Sequence, residues 1–218
     1  MWKTIKKRIS QSPAGTMGLV VALVLGTQAL FTFCGTLQCP AFEQPEFDAW
    51  MPYQQPKDLI FANGTLQDTL HVTETYRSPA EEIKLGYGSR RCNVSAAIGG
   101  HFGAARNQAS FFTLYCQLAD KQITGQLRIA DFIAPFNNIT DTGITINTGT
   151  SGVGNPTTVF TQYYPSLTLA GRNFTHVQVL TDAAADATKA GIKILYIARG
   201  QGIVAYQRVA TTSTWLIK

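Results

Sequence analysis

Beyond Trp50 the apolar and polar positions alternate in short runs, and turn residues break the runs apart. A period of two is the signature of half-buried strands. In "QDTLHVTETY", Leu70, Val72 and Tyr76 fall on one face, and His71, Thr73 and Thr75 on the other. "CNVSAAI" aligns Cys92, Val94, Ala96 and Ile98, and "SFFTLYCQL" aligns Phe112, Leu114, Cys116 and Leu118. "GQLRIADFI" aligns Leu127, Ile129 and Ile133. The predicted inward set is Leu70, Val72, Val94, Ile98, Phe112, Leu114, Leu127 and Ile129.

Turn chemistry separates these runs. Asn63-Gly64 is a hairpin signal because both central positions accept positive φ. "SLTLAGRNFTHVQVL" reads as two strands around Ala170-Gly171. "IKILYIARGQGIVAYQRV" reads as two around Gly200 to Gly202, each apolar on both faces, as strands buried on both sides are. The chain is therefore expected to be all-β: an antiparallel meander, a curled sheet or barrel-like sandwich of about nine or ten strands.

Helix signals are few. "SPAEEIKLG" offers Ser78 as N-cap, Pro79 at N1, Glu81 at N3 and Gly86 as a stop, which predicts a short helix or a single turn. "DAAADATKA" has helical propensity without an apolar stripe and reads as an excursion inside a hairpin. "NTGTSGVGNPTT" is a Gly/Thr/Asn-rich stretch with no apolar anchor and is predicted to be a mobile loop.

The N-terminus breaks the pattern. Lys3, Lys6, Lys7 and Arg8 precede "MGLVVALVLGTQALFTF", residues 17 to 33, which carries no charge. A basic head followed by an apolar run is an export signal, and the run is also long enough to serve as an uncleaved membrane helix. Either way the domain is exported. Cys34 directly follows the run, at the place where a bacterial lipoprotein is cleaved and acylated. Leu30 stands four residues before Cys34 and the bulky Phe33 just before it, so an uncleaved anchor or ordinary cleavage stays open beside acylation. The expected division is residues 1–33 as signal peptide or membrane anchor, 34–50 as tether and 51–218 as a single β domain.

That head also explains the formal charge of +5: without its four cations the chain holds 14 basic residues against 13 acidic. A balanced domain lacks the basic face that a nucleic-acid partner requires.

Several stretches carry a resemblance. They are "CGTLQCPAF", Trp50, Pro52 and Tyr53 at the entry to the first strand, and Asp68-Thr69 in the second. Near the C-terminus they are the hairpin with Leu167, Gly171 and Phe174, and the hairpin with Tyr196, Gly200, Gly202, Ile203, Val204 and Tyr206. Together these resemble a group of Bacteroidetes envelope lipoproteins. The resemblance covers both ends of the exported part, while residues 80 to 160 match only in being β-rich. It implies a lipidated Cys34, a bacterial cell-envelope address with the domain facing the periplasm or exterior, and a β fold. It implies no activity.

Candidate chemistry is sparse. The cysteine spacings do not match structural zinc pairs, and export favours disulfides. Cys92 and Cys116 each lie on an apolar strand face and are the candidate disulfide. Cys39 pairing with either of them is the alternative. His71, His101 and His176 are far apart in sequence and read as solvated. Glu81 and Glu82 suit a helix start. No G-x-S-x-G or P-loop occurs. No catalytic, cofactor-binding or metal-ligating set is expected, and the chain does not read as an enzyme.

The expected role is binding or structural at the envelope, with the membrane as partner through an N-terminal lipid or helix, and an envelope protein beyond that. The alternative is a carrier that holds an apolar ligand, a lipid or acyl chain, in a curved-sheet cavity lined by aromatic residues.

Overall fold

The computed structural model describes residues 41–78, 81–84, 90–103, 111–119, 122–129, 131–146, 158–185, 191–211 and 213–218. The chain divides into two units, 1–38 and 39–218, and all the described residues belong to the second. The basic head, the apolar run, Cys34, Cys39 and the stretch from Asn147 to Thr157 lie outside them.

The all-β expectation holds. The strands are β1 (Lys57–Asn63), β2 (Leu66–Arg77), β3 (Glu81–Lys84), β4 (Arg90–Phe102), β5 (Phe111–Ala119), β6 (Gln122–Ile129) and β7 (Phe132–Thr140). They continue with β8 (Gly143–Ile146), β9 (Val159–Leu169), β10 (Arg172–Asp182), β11 (Ile192–Ala198), β12 (Gly202–Arg208) and β13 (Thr214–Ile217). The hydrogen-bonded path runs β8-β7-β6-β5-β4-β2-β1-β13-β12-β11-β10-β9, with β3 beside β4 off the path. Every pairing is antiparallel, so the order is an up-and-down meander whose last strand pairs with its first at Phe61–Ile217.

β8, at one end of the path, meets β9 and its neighbour β10 at the other through side chains. Ile144 N–H donates to the Gln178 amide oxygen at 3.3 Å, and Thr161 Oγ1 lies 3.5 Å from the Ile144 carbonyl. Gln178 is buried at 3% exposure, so this bond replaces one that the sheet itself does not make. The result is a nearly closed barrel.

The inward set predicted from alternation is buried in full. The outward positions of β4 to β7 mix polar and small residues with the exposed Phe111, Tyr115 and Ile133.

Three local expectations change. The register shifts between Val72 and Glu74, a bulge at Thr73, and the faces reverse beyond it. Tyr76 is therefore 54% exposed instead of sharing the core with Leu70 and Val72. Ile133 is outward because a turn intervenes and the chain has already entered β7, where Phe132 takes the inward place. Glu81–Lys84 is a strand, not a helical turn. Four residues are too few to stabilise a helix, and β4 extends past β5 far enough to offer them a partner.

The expected tether ends sooner than Trp50. Helix α1 (Pro45–Trp50) has Pro45 in its first turn with Glu46 and Asp48, residues suited to a helix N-terminus. It closes one mouth of the barrel. Phe42, Phe47, Trp50, Met51 and Tyr53 are all buried. Their polar atoms are satisfied by strand ends at that mouth. Trp50 Nε1 donates to the Thr140 carbonyl at 2.7 Å, Gly200 N–H to the Ala49 carbonyl at 2.5 Å, and Ile203 N–H to the Tyr53 hydroxyl at 2.6 Å. Arg77, turned inward by the bulge, pairs with Asp48 and lies over the rings of Phe42 and Phe47.

A second apolar cluster covers the other face of β10 to β12. Phe174, Val177, Tyr196, Ala198, Val204 and Ala205 form it. Phe174 and Val177 would face opposite ways in a regular strand; His176 between them has φ +52 and re-aims one of them. The β9–β10 tip reaches β13, where Arg172 donates to the Ile217 carbonyl. That layer is why β11 and β12 are apolar on both faces, as their sequence implied.

Candidate functional site

The Thr73 bulge borders a broad groove on the outer surface. Gly99 and Gly100 lie opposite it on β4. A Cβ on Gly100 would fall against the His71 carbonyl, so the bulged strand can sit this close only over glycine. The bare backbone makes a floor, and longer side chains make walls. Glu74 and Tyr76 come from β2, His101 from β4, Phe111 from β5 and Arg128 from β6. The groove encloses about 750 Å³. Phe111 is 46% exposed, and Tyr115 continues the aromatic edge on the same outer face.

His71 and His101, thirty positions apart, stand directly opposite one another across β2 and β4 with ring centroids 4.9 Å apart. His71 Nδ1 is 2.7 Å from Asp58, and His101 Nδ1 is 3.0 Å from the Gly103 carbonyl. The pairing depends on strand register and is invisible in the spacing. His176 is separate and bonds the Tyr163 hydroxyl at 2.6 Å. Among the described residues, no three His, Cys, Asp or Glu side chains gather into a metal-binding group.

The opposite mouth from α1 holds an aromatic stack. Tyr206 contacts Phe61 and Phe102 edge-on and lies parallel to Trp215. Its hydroxyl donates to Asp68 at 2.6 Å, and Arg208 reaches the same carboxylate oxygen at 2.5 Å. Burial, then the hydrogen bond and charge of Asp68, push the Tyr206 phenol well above its ordinary range. Asp68 is thus a structural anchor that the second-strand motif did not reveal.

The candidate Cys92–Cys116 disulfide is corrected. Cys116 is a fully buried free thiol opposite Ala96. Cys92 lies four positions away along β4, roughly 13 Å of strand, whereas bridged Cα atoms stay within about 7 Å. Both face the interior, as predicted, but sharing a face does not bring them together. Burial pushes the Cys116 thiol up to about 12, which leaves it no thiolate at neutral pH. Cys34 lies outside the described residues.

The void between Met51, Leu114, Leu127, Phe136, Ile144 and Leu180 has about 10 Å³, the least that one water needs. Compared with family models, with curated proteins and with solved structures, the chain matches none.

Proposed function

We propose that the chain is an exported, membrane-tethered binding module of the bacterial cell envelope, and that the groove beside the Thr73 bulge is its ligand face. The bulge carries this reading. It costs the barrel one regular ladder pair and puts Glu74 and Tyr76 outside, where they serve no core. The walls combine exposed aromatic faces with a carboxylate, a guanidinium and an imidazole over a flat glycine floor. That mixture suits a ring-bearing, hydroxyl-rich ligand, a saccharide segment, whose apolar faces stack and whose edges hydrogen-bond. The alternative of an apolar carrier gains nothing from the void beneath Met51, which has about 10 Å³.

The test is binding of the full chain to an array of bacterial envelope saccharides, with Tyr76→Ala and Phe111→Ala beside it. The expected result is retention of at least one saccharide by the wild type and a loss of roughly tenfold or more in each variant at unchanged stability. Equal binding by the variants, or none by the wild type, leaves a structural role in its place.

A further inference from the structure

The outer sheet face beside the groove is almost without charge. Among the described outward residues of β5, β6 and β7, Arg128 is the one charged side chain. A sheet face that serves only solubility carries charges of both signs.

Tyr115 lies at the centre of that face and is 43% exposed. It points the same way from β5 as Phe111, four positions earlier and roughly 13 Å along the strand. Thr113 stands between the two rings, and its hydroxyl oxygen is buried without a hydrogen-bond partner. A polar atom in that condition can take a bond from a ligand at no loss to the fold. Across the strands, Tyr115 has Ala97 on one side and Gln126 on the other. Ala97 is too small to cover the ring. Gln126 is half-buried, with its Cβ roughly 5 Å from that of Tyr115. Among the described residues its side-chain amide makes no hydrogen bond. Pro135, next across on β7, brings no polar group to it. An open amide offers a donor and an acceptor side by side.

An exposed ring beside such an amide suits a neutral sugar, whose apolar face stacks on the ring and whose hydroxyl or acetamido groups pair with the amide. A lipid surface would bury the amide unpaired, at a cost. We propose that Tyr115 and Gln126 form a second subsite, continuous with the groove along β5, and that the ligand is an uncharged glycan chain lying across both Phe111 and Tyr115. The proposal rests on the saccharide reading of the groove and adds two properties to it, length and neutrality. One sugar ring is too short to reach from Phe111 to Tyr115. The two charges that line the groove, Glu74 and Arg128, are opposite in sign and together select no net charge.

The experiment is calorimetric titration of the full chain with N-acetylglucosamine and glucose oligomers, from disaccharide to hexasaccharide, and with a uronic acid hexasaccharide. In the wild type the affinity for one neutral series should climb by roughly tenfold or more from disaccharide to hexasaccharide. The uronic acid hexasaccharide should bind no better than the neutral disaccharide. Tyr115→Ala and Gln126→Ala should remove the climb, with disaccharide affinity and the unfolding midpoint unchanged. Tyr115→Phe should keep the climb, because stacking needs only the ring. Phe111→Ala should weaken the disaccharide itself. Length-independent affinity in the wild type, or an equal climb in Tyr115→Ala, overturns the second subsite and leaves the groove reading standing. A uronic acid hexasaccharide that binds as tightly as the neutral one overturns the neutrality. Dimerisation of the wild type that Tyr115→Ala abolishes gives this face to a second copy and overturns the proposal as well. If no oligomer binds, the disaccharide included, the groove reading fails and this proposal with it.

Discussion

The Tyr53 hydroxyl occupies the space that a side chain on Gly202 would need. A Cβ built on Gly202 falls inside the phenol, and the same hydroxyl accepts the Ile203 N–H at 2.6 Å. Gly202 also has φ +80. The residue is thus constrained twice, by backbone conformation and by the plug of the barrel mouth.

Gly200 separates these two constraints. It has the same φ of +80 in the same turn, but a Cβ there would meet nothing within 4 Å. Gly200→Ala should therefore cost only the strain of a left-handed alanine, about 1 kcal/mol. Gly202→Ala should cost that and the displacement of Tyr53, on the order of 3 kcal/mol or more. Urea denaturation of both variants checks this. Equal losses would show that the close approach to Tyr53 is not felt.

Buried phenols give the fold an alkaline limit. Burial raises the pKa of Tyr53 and Tyr196, and burial together with Asp68 raises that of Tyr206. Each is held protonated in the folded state to a higher pH than in the unfolded chain. Their contribution is therefore fully present below the unfolded value of about 10 and is lost as pH rises from there through the folded values. The midpoint of thermal unfolding should be insensitive to these groups below pH 9 and should fall steeply above 10. In Tyr206→Phe that fall should be shallower. A slope unchanged by the substitution would mean that Tyr206 ionises as freely in the folded protein as in the unfolded one.

Arg199 lies in the β11–β12 turn, where it is half-exposed and its N–H donates to the His176 carbonyl. Only its backbone is used there. Arg199→Ala should stay within about 0.5 kcal/mol of the wild type and leave saccharide retention unchanged. A loss of binding with the fold intact would move the ligand face from the groove to this turn.

The core was legible because alternation is local. Val94, Ile98, Phe112 and Leu114 declare their faces whatever strand they pair with. Tyr76 misled because one extra residue, Thr73, reverses the face, and nothing in "HVTETY" marks a bulge until Gly99 and Gly100 lie opposite it. The groove was invisible for the same reason: its walls come from four separate strands. His71 meets His101, and Cys92 misses Cys116, through register that no spacing encodes. Phe47 and Trp50 in α1 were read as tether because a six-residue helix has too few turns to show a stripe.

Among the described residues, Gln178 holds the seam between the ends of the strand path that strand pairing leaves open. It sits at 3% exposure, its amide oxygen takes the Ile144 N–H, and Gly143 beside it has room for no side chain. Gln178→Leu keeps the volume but removes the acceptor, and the Ile144 N–H is left buried without a partner at a cost of roughly 1–3 kcal/mol. The damage should be local. β8 has four residues and pairs by backbone only with β7, so it should open without the rest of the sheet. Hydrogen exchange should quicken at Ile144 and Ile146 by tenfold or more while amides of Phe112 and Leu114 in β5 follow only the global change. Uniform acceleration across β5 and β8 would show that the seam is no weaker than the rest of the barrel. Unchanged exchange at Ile144 would show that the Gln178 bond does not hold it closed.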